Sequence, residues 1–190
     1  AIYRLMMDER IARINRRKVK FIDDPVYHQE DAERMIESMT SAEEITIAEP
    51  QRLPPNLPSS LASLCSAPLL SPARERAMFL KLNYHKMRFV IARRKLEPLF
   101  ARGKDLAVLE SHLHRITQTR NEILRANLRL IVSVARKHLR HGLSIMELVS
   151  EGTMVAMRAI DSFDVHRGNK FSTYATYALM TGFARSVPQL

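Results

Sequence analysis

The chain has no tryptophan, a single cysteine and only five glycines among its 190 residues. With Cys65 alone, an internal disulfide is excluded, and a reducing cytoplasm is the expected environment. So few glycines, and so few alternating apolar runs, leave little material for hairpins and sheets, so helices are expected instead. No apolar run approaches the roughly 20 residues needed to cross a bilayer, and the N-terminal residues lack the pattern of a signal peptide. A soluble protein with no membrane partner is expected. No Gly-rich phosphate loop is present. His112 with His114, and His138 with His141, have the spacing of metal-ligand pairs but lack the nearby cysteines or acids that close a zinc site. The chain is therefore read as a non-enzyme with no metal or other cofactor.

Charge is what the chain has in excess. A net charge of +10 favours a polyanionic partner, although the distribution says more than the total. Residues 1–20 carry seven cations against two acids, 23–49 carry nine acids against one cation, and 72–120 carry twelve cations against four acids. The positive field is thus interrupted by an acidic block. Residues 3–20 read as a short basic helix, with Ile11, Ile14 and Lys18 at helical spacing, which could touch nucleic acid or polymerase but whose default role is a solvated face. A second helical stretch is expected near 29–39. Prolines 50, 54, 55, 58, 68 and 72 forbid a continuous helix or a central strand over 50–71, which reads as a linker between the N-terminal segment 1–49 and a helical domain from 72 to 190.

Ser71-Pro72 opens that domain with an N-cap followed by proline at the first helical position. Met78, Phe79, Leu82 and Met87 repeat at helical spacing, with Lys81, Lys86, Arg88, Arg93 and Arg94 available for phosphate contacts or for solvent. From 105 to 140 the pattern is strongly helical, with Leu124, Leu128, Ile131, Val132, Ala135 and Leu139 on one apolar stripe. Ser144-Ile-Met-Glu147 forms a capping box, and Glu147 and Glu151 share a helix face four residues apart. Asp161 and Asp164 sit at a helix end, where capping or solvation accounts for them.

The densest chemistry lies in Arg167-Gly-Asn-Lys-Phe-Ser-Thr-Tyr-Ala-Thr-Tyr177. Gly168 supplies a conformation that other residues resist, Ser172 is read as the N-cap of a helix that Pro188 later stops, and Phe171, Tyr174 and Tyr177 fall three apart on roughly one face. Rings beside cations can hold unstacked bases, at about 1–3 kcal/mol per base, although the same spacing also serves a core.

The run from Asn127-Leu-Arg-Leu-Ile-Val-Ser-Val-Ala-Arg-Lys through Glu147-Leu-Val-Ser-Glu-Gly152 and Met157-Arg-Ala-Ile-Asp-Ser-Phe-Asp164 to Lys170-Phe-Ser-Thr-Tyr-Ala-Thr176 resembles, without gaps, the sigma factors of bacterial RNA polymerase. The likeness covers the family's second conserved region, about 121–188 here, and more loosely the short element upstream of it, about 72–100. It implies an all-α helical bundle, preceded by a partly helical or extended N-terminal segment. It also implies a function: binding core polymerase, then recognising and melting the promoter minus-ten element. The resemblance places one flipped non-template base, an adenine, among Phe163, Asp164, Arg167, Asn169, Phe171, Thr173, Tyr174 and Tyr177, and Lys170 and Arg167, just upstream of the rings, are placed to meet phosphate. A second flipped base, a thymine, would lie near Asn127, Leu130 and Ser172. The face of Glu147, Leu148, Ser150 and Glu151 is implied to dock on the coiled coil of the polymerase's largest subunit, in the nucleoid of a bacterial cytoplasm.

The chain departs from the family at particular positions. Tyr177-Ala178 stands where two adjacent tryptophans are common, Leu179-Met-Thr-Gly-Phe183 where duplex-contacting Arg and Gln are usual, Asn169 for a frequent tyrosine and Ser150 for a frequent glutamine. The pattern is like that of divergent, planctomycete-like branches. A chain beginning without Met and ending before the family's later modules is expected to be a fragment. Two other classes are compatible with these residues: a helix-turn-helix regulator of duplex DNA, and an interaction module that binds only polymerase or an inhibitory anti-sigma protein.

Overall fold

A computed structural model describes residues 2–41, 58–65, 67–140 and 143–186. Pro188, the prolines from 50 to 55 and His141 lie outside the described residues. Among the described residues the chain forms eight α-helices and two 3-10 turns, with no strand. The helices are α1 (Ile2–Asn15), α2 (Ala32–Ser41), α3 (Ser59–Leu64), α4 (Pro72–Arg94), α5 (Gly103–Ala126), α6 (Leu128–Lys137), α7 (Ile145–Ser162) and α8 (Phe171–Ser186). They are grouped into two compact units, one made of Ala1–Ser41 with Met78–Thr119 and the other of Ala42–Ala77 with Arg120–Leu190.

In the first unit, α1 is more than a solvated basic helix. Met7, Ile11 and Ile14 are buried at three- and four-residue spacing, while Arg10 makes a two-pronged ion pair with Glu110 of α5, at 3.0 and 2.7 Å. On the acidic segment, Tyr27, Ala32 and Ile36 pack with Leu80, Tyr84 and Met87 of α4, and Arg115 of α5 holds both Glu33 and Glu37. Asp24 caps the 3-10 turn Pro25–His28 by accepting from the Val26 amide at 2.8 Å. The middle of α4 is enclosed on every side. Leu82, Asn83, Tyr84, His85, Lys86 and Met87 are all buried, so Lys86 is not among the cations available to a phosphate.

The second unit is built on α6, α7 and α8. Ser71 caps α4 as expected, its Oγ accepting from the Arg74 amide at 3.2 Å, and the capping box at Ser144 and Glu147 is formed in full. Ile131, Val132, Val134, Ala135, Leu148, Val149, Val155, Ala156, Leu179 and Phe183 make the core, joined by Leu61 of α3, a short helix within the proline-rich stretch, and by Cys65 at that helix's C-terminal cap. Burial pushes the Cys65 thiol above its ordinary value. Two glycines allow the close approach of α7 and α8. A Cβ on Gly152 would meet Ile131 and Phe183 at 2.8 and 2.9 Å, and one on Gly182 would meet Val155 at 2.7 Å.

Two expectations need correction. The pattern over 105–140 is broken at Asn127, whose amide side chain donates to the Ile123 carbonyl at 2.8 Å between α5 and α6. Its apolar stripe ends at Ala135, because α6 stops at Lys137 and leaves Leu139 exposed beyond it.

Candidate nucleic-acid interface

The chain between α7 and α8 turns on local hydrogen bonds. Phe163 ends α7, and Asp164 caps a short 3-10 turn by accepting from the His166 amide at 2.9 Å, with Arg167 3.5 Å from the same carboxylate. Gly168 follows at φ 73°, in the left-handed region where a side chain would be strained. Helix α8 then starts at Phe171, one residue earlier than the expected cap at Ser172. Ser172 lies inside the helix, with its carbonyl accepting from the Thr176 hydroxyl. A helix-start amide has no partner within its own helix, and here the Phe171 amide donates to Glu75 of α4 at 2.9 Å. An acid at a helix N-terminus also meets the positive end of the helix dipole.

Three-residue spacing does not hold the rings on one face. At about 100° per residue, each step of three drifts by about 60°, so Phe171 and Tyr177 point about 120° apart. The burial follows that fan: Phe171 is 0% exposed, Tyr174 39% and Tyr177 77%. Phe163 is also buried and lies between the other two rings, with centroids 5.3 Å from Phe171, edge-on, and 5.5 Å from Tyr174. Phe163 and Phe171 therefore form the floor on which Tyr174 rests and offer no surface of their own. Arg167, Asn169, Lys170, Ser172 and Thr173 are exposed around that floor, and Asp164 is half-buried. Of the residues expected at the second base, Ser172 is exposed, whereas Asn127 and Leu130 are half-buried, with Leu130 packed on the α6–α8 core.

On α7, Glu147 and Ser150 are exposed, but each is also engaged locally. Glu147 accepts from the Ser144 amide, and the Ser150 hydroxyl donates to the Met146 carbonyl at 2.9 Å. Leu148 is a core residue. Glu151 is half-buried, 4.0 Å from Arg158, and both line a groove of about 460 Å³ with Tyr174, Tyr177, Ala178 and Arg185. The groove thus joins residues expected of docking with residues expected of base capture.

Sequence reasoning missed Glu75, Arg158 and Arg185. Arg158 had a signal, since it lies seven residues, or two turns, from Glu151 on the same face. Glu75 had none, because its partner is 96 residues away. Asp161 also has a partner, Arg120 at 3.0 Å. Among the described residues no group of three or more His, Cys, Asp or Glu could hold a metal, and no helix is long and apolar enough to cross a membrane.

Residues 123–181, covering α6, α7, the left-handed turn and most of α8, match the family described as Sigma-70 region 2. Over 129 residues the chain is 34% identical to the RNA polymerase principal sigma factor HrdD of Streptomyces coelicolor, a match that takes in 67% of this chain and 38% of that protein. It is 36% identical over 93 residues to RNA polymerase sigma factor SigA of Microcystis aeruginosa, and 43% identical over 68 residues to RNA polymerase sigma factor RpoD of Neisseria gonorrhoeae. Those matches take in 48% and 36% of this chain. The chain belongs to the bacterial RNA polymerase sigma factor family and is of primary-like type. It covers 38%, 22% and 11% of the length of these three relatives.

Proposed function

We propose that this chain associates with core RNA polymerase and opens the promoter minus-ten element by capturing flipped non-template bases at the turn before α8. The observation that carries the reading is Tyr174, half out of a floor made by Phe163 and Phe171, with Arg167, Asn169 and Lys170 exposed beside it. A base laid on Tyr174 gains stacking, its edge meets Asn169 and Thr173, and its phosphates meet Lys170 and Arg167. Flipping a base costs a few kcal/mol, and stacking with edge hydrogen bonds returns a comparable amount, so binding alone drives melting without a catalytic step. Tyr177, at the more exposed end of the fan, takes the place of the tryptophan pair at the upstream edge of the opened DNA.

In the same reading, the polymerase's coiled coil docks on two acids of α7, the exposed Glu147 and the half-buried Glu151, with Ser150 between them and Leu148 beneath in the core. An anti-sigma protein competing for that face is a further partner, and the work is done in the cytoplasm on nucleoid DNA. The helix-turn-helix alternative is disfavoured by the connection between α7 and α8, eight residues with a 3-10 turn rather than the three or four of that motif. The test is affinity for a single-stranded minus-ten oligonucleotide compared with a scrambled strand. Tyr174→Ala is expected to remove most of the preference while leaving the circular dichroism of the helices unchanged; an unchanged preference would refute the site.

A further inference from the structure

The basic residues at the end of α1 are not absorbed by the reading above. Arg13 is already partnered by Glu110 at 3.5 Å, but Arg16, Arg17, Lys18 and Lys20 follow the end of the helix, all exposed. Among the described residues, none of these four side chains is in an ion pair. They do not stand alone in the fold. The Arg93 guanidinium, which also lies 5.2 Å over the Phe89 ring, donates to the Arg17 carbonyl and so brings the last turn of α4 to the end of α1. That turn adds Arg94 and, just past it, Lys95, both exposed.

Cations in the last turn of a helix have an ordinary explanation in the helix dipole, and this accounts for Arg13, Arg93 and Arg94. It does not account for Arg16 to Lys20, which lie beyond the last turn and repel one another. The groove beside them, lined by Glu9, Ala12, Arg13, Arg16 and Arg17, contains no aromatic ring. A surface for single strands combines cations with rings on which bases stack, whereas a surface for duplex needs only cations matched to phosphates. Lacking rings, that groove suits the backbone of a duplex.

We propose that the end of α1, with the last turn of α4, binds the phosphate backbone of duplex DNA without regard to sequence. This surface lies in the compact unit that does not hold the α8 turn, and it stands whether or not that turn captures bases. A charged duplex releases counterions when phosphates are neutralised, so binding here weakens with salt by a logarithmic slope of about 0.9 per phosphate contacted.

The test is fluorescence anisotropy of the whole chain with a labelled duplex lacking a minus-ten hexamer, across a series of salt concentrations. Replacing Arg16, Lys18 and Lys20 together by alanine is expected to lower the salt slope by about 2.7, three contacts at about 0.9 each. The charge-conserving set Arg16→Lys, Lys18→Arg and Lys20→Arg is expected to keep the slope of the native chain. An unchanged slope in the alanine variant would overturn the proposal. So would equal losses in both variants, which would make the residues structural, or an equal fall in slope on a single strand of the same sequence. Loss confined to an acidic protein partner, with duplex binding intact, would overturn it in favour of that partner.

Discussion

Glu75 makes a sharp prediction because its role is local and its partner distant. Its carboxylate accepts from the Phe171 amide at 2.9 Å, at the point where α8 leaves the left-handed turn. A hydrogen bond to a charged group contributes about 1.5–3 kcal/mol, and its loss would leave a half-buried helix-start amide without its acceptor. Glu75→Ala should therefore destabilise the α6–α8 unit by about 1.5–3 kcal/mol. At about 2–4 °C per kcal/mol for a chain of this size, that is a fall of about 3–12 °C in melting temperature. Glu75→Gln keeps an acceptor but loses the charge facing the helix dipole, worth about 0.3–1 kcal/mol, and should fall in between. Circular dichroism melting of the three proteins gives the stability, and anisotropy with a minus-ten single strand gives the affinity on the same samples. The expected result is parallel loss of both, ordered native, Gln, Ala. An alanine variant that melts with the native chain would refute the argument that this contact fixes the start of α8.

Glu151→Lys should abolish recovery of core polymerase in a pull-down without changing the melting temperature, since it reverses charge on a face proposed to meet a basic partner; full recovery would remove Glu151 from that interface. Tyr177→Ala should weaken single-strand binding by about 5- to 150-fold, the equivalent of one stacked base, with the fold intact. Phe171→Ala should instead cost about 3–5 kcal/mol of stability, as expected of a fully buried ring; a folded Phe171→Ala that loses only DNA binding would contradict its place in the floor. Burial, reinforced by Arg115, His112, Lys81 and Arg88, pushes His85 down to about 3 from its ordinary 6.5. The unfolded chain therefore binds a proton that the folded one refuses, so stability is full above about pH 6.5 and falls as pH drops toward about 3. His85→Leu should flatten that part of the stability curve, and a curve as steep as the native one would assign the acid sensitivity elsewhere.

What the sequence carried was mostly local. The cap at Ser71, the capping box at Ser144 and Glu147, the left-handed Gly168 and the apolar repeats of α4 and α6 are each set by residues within a few positions of one another, and each is formed. Errors arose where the deciding partner is far along the chain. Lys86 looks like a surface cation until α4 is enclosed on all sides, and Ser172 looks like a cap until Glu75 takes the Phe171 amide. The ring stripe was misjudged for a geometric reason, since three-residue spacing slowly rotates from core to solvent and gives one residue to each environment. The basic run at 13–20 was legible as charge, but its joining to the end of α4 through the Arg93 contact to the Arg17 carbonyl was not.

The most direct test of the central claim is transcription by core polymerase with this chain added, on a promoter already mismatched across the minus-ten hexamer. The hexamer's non-template sequence is then available without duplex melting, so only docking and base capture are being measured. The account predicts initiation from the mismatched promoter that depends on the chain, is lost on scrambling the non-template hexamer, and is sharply reduced by Tyr174→Ala. Initiation no greater than with core polymerase alone, or indifferent to the hexamer's sequence, would contradict it.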